Sequence, residues 1–79
     1  MLKDITFLMD ELINERNVPR NVRIKIEDAR NDLIDRKQEI GVRVGTAISL
    51  LDEISNDINL PVYARTKIWS IVSMLEKMR

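Results

Sequence analysis

Seventy-nine residues, with thirteen Lys and Arg against thirteen Asp and Glu, make a small net-neutral chain with neither cysteine nor histidine. That balance argues against a dedicated polyanion binder, whose affinity rests on excess cations releasing counterions. Without cysteine or histidine there is no disulfide, thiolate metal site or imidazole base, so aliphatic side chains must hold together a single domain, 1–79.

Four stretches follow helical periodicity and none sustains strand alternation. In the first, Leu2, Ile5, Leu8-Met9, Leu12 and Ile13 form a three-four stripe opposite Lys3, Asp10, Asn14 and Glu15. The second runs from about Pro19 to Lys37, with Val22, Ile26, Ala29 and Leu33 inside and Arg20, Arg23, Glu27, Arg30 and Asp35 outside. Arg36 to Gly41 is the weakest stretch and is predicted to connect the two halves. The third, about Gly41 to Asn56, presents Val44, Ala47-Ile48, Leu51 and Ile54; the fourth, from near Pro61, presents Ala64, Ile68, Ile71-Val72, Leu75 and Met78. No apolar run approaches a bilayer span, and Met1-Leu2-Lys3-Asp4 lacks the layout of a secretory signal. The expected location is the cytoplasm.

The second half repeats the first. Phe7–Lys37 against Ser49–Arg79 gives ten identities in thirty-one ungapped positions, where chance predicts roughly two. A fixed-period self-match sets architecture before local detail. Pro19 and Pro61 fall at the same point of each copy and suit a first helical turn. Asn17 and Asn59, just upstream, suit either a left-handed close of the preceding helix or a cap on the next. Links of about two to four residues make each copy an antiparallel hairpin. Hairpins over about 2–37 and 41–79 then dock as an all-α four-helix bundle with an approximate internal twofold. An open HEAT-like solenoid uses similar pairs but needs more than two units.

The repeated polar residues are Asp10, Asn17, Pro19 and Arg23, matched by Asp52, Asn59, Pro61 and Arg65. Asp and Arg fall near each other across a hairpin, so an Asp–Arg bridge, or Arg donating to the last carbonyls of the preceding helix, is expected to fix its angle. A carboxylate metal site between the first and third helices is disfavoured, because adjacent Asp-Glu pairs diverge by about 100° on a helix. No serine has a base partner and no glycine-rich phosphate loop exists, so no catalytic residue, metal or cofactor is expected. Gly41, Gly45 and Ser49 share one face and are expected to admit another helix closely, with Phe7, the counterpart of Ser49, packing over the gap. Arg16, Arg20, Arg23 and Arg30 cluster around the first hairpin turn and the second helix, yet Glu15, Glu27 and Asp28 are interleaved and the one tryptophan is in the other copy.

Divergence between the copies is more telling. Glu27-Asp28-Ala29-Arg30-Asn31-Asp32 aligns with Trp69-Ser70-Ile71-Val72-Ser73-Met74. Tyr63, Trp69, Met74 and Met78 are residue types enriched at interfaces. They are expected to form a second contact surface on the fourth helix, for a homodimer or a protein partner, or else a wider face covered by the amino-terminal helix.

The segment Thr46-Ala47-Ile48-Ser49-Leu50-Leu51-Asp52-Glu53-Ile54-Ser55-Asn56-Asp57, followed by Asn59-Leu60-Pro61, Ala64-Arg65-Thr66, Ile68-Trp69 and Leu75-Glu76, resembles uncharacterised protein family number 147, a group of small archaeal proteins. Val18-Pro19-Arg20-Asn21-Val22-Arg23 resembles the same family's first-hairpin signature, and Ile58 stands where that family leads one to expect proline. The resemblance implies a cytosolic all-helical bundle of archaeal origin and brings no activity, cofactor or catalytic residue. The functional expectation is a small non-catalytic helical interaction module that self-associates through the fourth helix. The alternative is a nucleic-acid or ribonucleoprotein accessory protein using the basic patch at the first hairpin.

Overall fold

The computed structural model describes residues 1–79 and contains four helices: α1 (Leu2–Ile13), α2 (Arg20–Ile34), α3 (Ile40–Ile54) and α4 (Val62–Glu76). Each contributes one buried stripe, Ile5-Met9-Leu12, Val22-Ile26-Ala29-Leu33, Val44-Ala47-Ile48-Leu51-Ile54 and Ala64-Ile68-Ile71-Leu75. Each of α2 and α3 packs on its sequence neighbours, and α1 closes the ring against α4, while α1 and α3, and α2 and α4, stand on diagonals without contact. The closing α1–α4 contact makes this an up-and-down four-helix bundle rather than an open solenoid. Because α1 and α3 do not meet, a carboxylate site between them has no geometry to rest on, and Phe7 does not cover Ser49. Phe7 is instead 64% exposed.

The core is aliphatic throughout. Its largest fully buried members are Ile, Leu, Val and Met, and Ser55 is the one buried polar residue, with its hydroxyl donating to the Asp52 carbonyl at 2.7 Å. Phe7, Tyr63 and Trp69, the three aromatic residues of the chain, all lie on the surface.

The connections, residues 14–19, 35–39 and 55–61, are longer than two to four residues because each holds a complete extra turn. All three are built alike. Each has an acid, Glu15, Asp35 or Asp57, whose carbonyl accepts the amide three residues on, from Val18, Gln38 or Leu60, at 3.2–3.3 Å. Each ends in extended backbone at Pro19, Glu39 or Pro61, with ψ of 143°, 147° and 146°. The prolines are therefore the residues before the first helical turn rather than its first members. Their ring holds φ near the required value, and their missing N–H costs nothing where no helical bond is due. Under the outer two turns Val18 and Leu60 are buried plugs; Gln38 is exposed at the centre.

Eight residues after each acid stands an arginine: Arg23, Arg43 and Arg65. Arg65 Nε donates to the Ser55 carbonyl at 2.8 Å, and its guanidinium also donates to the Asp57 carbonyl at 2.9 Å. Arg43 donates to the Leu33 carbonyl at 3.0 Å. Helix ends leave carbonyls unpaired, and a charged planar donor anchored in the next helix ties them down. Arg23 makes no such bond, and its Nε is buried without a partner. The expected carbonyl clasp thus holds at Arg65, is absent at Arg23, and is present at Arg43, which the 42-residue repeat conceals.

Asn17 and Asn59 take neither expected role. No residue has positive φ, and no helix has a side-chain N-cap bond. The Asn59 amide instead donates to Asp57 Oδ1 at 2.8 Å, as the Lys37 amide does to Asp35 at 3.0 Å. Helix ends are closed by another repeated pair, Asn14 and Asn56, whose side-chain Nδ2 atoms donate to the Asp10 and Asp52 carbonyls at 2.9 and 3.3 Å.

Gly41 and Gly45 sit within α3, where a Cβ at either would meet nothing within 4 Å. They admit no other helix of this chain.

Arg65→Met keeps the apolar stem but removes both carbonyl bonds, and is expected to cost about 1–3 kcal/mol in urea unfolding; Arg23→Met is expected to be neutral or slightly stabilising. Gly45→Ala, free of clash and better suited to a helix, is expected to gain about 0.5–1 kcal/mol.

Candidate interaction surface on the second hairpin

Hydrogen bonds to neighbouring helices fix which way each flank of α3 and α4 faces. Arg65 reaches the end of α3, so its flank of α4 is the α3 side. Trp69, about 40° from Arg65 around the helix, lies on that side; Tyr63, Met74 and Met78 are turned about 140–180° away from Arg65. The four residues expected to form one surface therefore occupy two. Met74 and Met78 are partly buried against the core on the side turned toward α1, while Trp69 is 55% and Tyr63 42% exposed.

Arg43, by donating to Leu33, and Glu53, at 3.4 Å from Lys25, mark the α2 side of α3. Gly41 and Gly45 are each about 160° from Arg43 and lie on the α4 side, beside Trp69, while Ser49, about 120° from Arg43 and 40° from Glu53, continues the strip onto the outward face.

This flank is short of charge. Between Ile40 and Ser49 the exposed residues of α3 are Ile40, Gly41, Val42, Thr46 and Ser49; between Val62 and Ser73 those of α4 are Val62, Tyr63, Thr66, Trp69, Ser70 and Ser73. None is ionisable. Arg43 and Arg65 are half-buried and committed to backbone carbonyls, which leaves the half-buried Lys67 as the remaining charge in these spans. The equivalent surface of the first hairpin is wet: Lys3 and Asp4 on α1, and Arg20, Glu27 and Asp28 on α2, are all exposed, where the second hairpin has Gly45, Thr46, Val62, Trp69 and Ser70. Solvent-facing helical surfaces normally carry such charges.

The polar residues singled out in the sequence have structural positions. Asp10 pairs with Arg30, not Arg23: Arg30 Nε lies 2.6 Å from Asp10 Oδ1 and joins α1 to α2. Val72 replaces Arg30 in the second copy, and Asp52 has lost the corresponding partner. The basic cluster is thereby reduced. Arg30 is engaged, Arg23 is half-buried, and Arg16 and Arg20 are its two exposed members. No group of three or more carboxylates converges, and no helix is long and apolar enough to cross a membrane.

Known proteins share this architecture over nearly its whole length. Residues 1–78 match the family described as Uncharacterised protein family (UPF0147). A UPF0147 protein of Methanocaldococcus jannaschii is 48% identical over all of this chain and 85% of its own length; one from Desulfurococcus amylolyticus is 39% identical over 95% of this chain and 82% of its own. The crystal structure of MMP1188, a protein of unknown function, superposes with a TM-score of 0.94 at 45% identity, covering 99% of this chain and 89% of the other. That of a UPF0147 protein from Thermoplasma acidophilum gives 0.93 at 35% identity, covering 98% and 91%. The four-helix architecture is thus that of a shared fold, and the chain is a member of the UPF0147 family.

Proposed function

We propose that this protein is a small, non-catalytic cytoplasmic interaction module that associates with itself through the outer face of α4. The observation that carries this reading is the contrast between the hairpins. They share a scaffold, yet the second leaves Trp69 exposed amid uncharged neighbours where the first has Glu27 amid charged ones. Tryptophan is a costly residue to leave in water and a frequent anchor of protein interfaces. A core filled by aliphatic side chains, with no surface pocket to enclose a substrate, supports a binding rather than a catalytic role.

Trp69, the only tryptophan, reports on the question directly. Its emission is expected to shift to the blue as concentration rises, in step with a dimer in sedimentation velocity, and Trp69→Ala is expected to weaken that dimer by about tenfold or more without lowering the melting temperature at concentrations where the protein is monomeric. A monomer at all concentrations, with Trp69 emission unchanged, would contradict self-association. Salt-sensitive RNA retention lost in Arg16→Glu plus Arg20→Glu would move the function to the first hairpin.

A further inference from the structure

We propose that Trp69 seats on the Gly41-Gly45-Ser49 strip of a second copy, giving a closed dimer whose twofold axis runs parallel to the helices. This rests on the self-association proposed above and adds the occupant's surface and the symmetry.

The knob and the strip share one flank, and they share one height. Trp69 lies seven residues into α4, while Gly45 and Ser49 lie nine and five residues back from the end of α3. With equal rise per residue in two antiparallel helices, Trp69 stands level with the stretch between Gly45 and Ser49. A twofold axis parallel to the helices sets α3 of each copy against α4 of the other without changing height. The bulky residue of one copy then meets the small residues of its partner, twice over. An axis perpendicular to the helices sets α4 against α4 and leaves the glycines facing glycines.

The strip also lacks a purpose within one chain. Glycine inside a helix costs about 0.5–1 kcal/mol, and neither glycine is crowded by its own fold. Area points the same way. The outer face of α4 alone, fifteen residues long, is about 22 by 10 Å, far below the ~800 Å² that each partner buries in a standard interface. The whole α3–α4 flank, on a molecule measuring 32 × 20 × 19 Å between Cα positions, approaches that area. A second copy bound through α4 therefore has to engage α3; the exposed residues are uncharged from Ile40 to Ser49 and from Val62 to Ser73, with Asp52, Glu53 and Glu76 exposed beyond those stretches.

The chain has no cysteine, so pairing can be read by cross-linking. Ser49, five residues from the end of α3, is level with Thr66, four residues into α4. Ser49→Cys protein mixed with Thr66→Cys protein and treated with a short thiol-specific cross-linker is expected to give a covalent dimer well in excess of either variant alone. Gly45→Leu, which fills the strip, is expected to weaken the unmodified dimer about tenfold or more while leaving the melting temperature at or above its original value. A dimer that cross-links through Thr66→Cys alone, or that tolerates Gly45→Leu, overturns the seat and the symmetry while self-association through α4 stands. A chain that stays monomeric overturns both.

Discussion

One aliphatic seam carries the fold. Four short helices each bury a single stripe, and the stripes meet in a core with no aromatic ring and one satisfied hydroxyl. Each buried Leu, Ile or Val contributes about 1.5–3 kcal/mol relative to exposure, and a chain this short has few to spare against the conformational entropy of ordering itself. The seam therefore requires helices held at fixed angles. The connections provide this with a repeated device: an acid that opens a turn, an extended residue before the next helix, and an arginine one helical turn in. Since aliphatic residues fill the interior, all three aromatic side chains are available to the surface.

The device is strongest where the interior twofold is weakest. At the third connection Arg65 makes two bonds to backbone carbonyls, Asp57 organises the turn and Leu60 plugs it. At the first, Arg23 is unpaired and the hairpin relies on the Asp10–Arg30 pair across α1 and α2. The second hairpin has no such ion pair, since Val72 stands where Arg30 would be. Loss of that pair leaves Asp52 exposed and unpaired beyond the uncharged stretch around Trp69, without loosening the hairpin, because its angle is set from the turn. Scaffold and surface are in this sense separately adjustable in the two copies.

Much of this was legible in the sequence, for a physical reason. Helical phase is written in apolar spacing, and the self-match with its two prolines located the outer turns. Three features were not legible. Arg43 carries the same clasp as Arg65, but Glu39 replaces proline and Gln38 replaces the apolar plug, so the central connection does not resemble the others. Asn17 and Asn59 are compatible with several turn conformations, and only the backbone reveals that Asp57 and Asn56 do the work assigned to them. The third concerns direction. Tyr63, Trp69, Met74 and Met78 share a helix, but whether they share a face depends on where α1 and α3 stand around it. The same is true of Gly41 and Gly45, which are small toward the outside of the fold rather than toward a neighbour within it.

Broken symmetry between two copies of one hairpin is the observation on which the proposed self-association rests, and it makes a claim about location. Backbone amide chemical shifts, followed residue by residue as the protein is concentrated, test that claim most directly. The account predicts movement confined to the α3–α4 flank, at Gly41, Gly45, Ser49, Thr66, Trp69 and Ser73, with Lys3, Glu11, Arg20 and Glu27 unchanged. Shifts centred on the first hairpin, or none at any concentration, would contradict it.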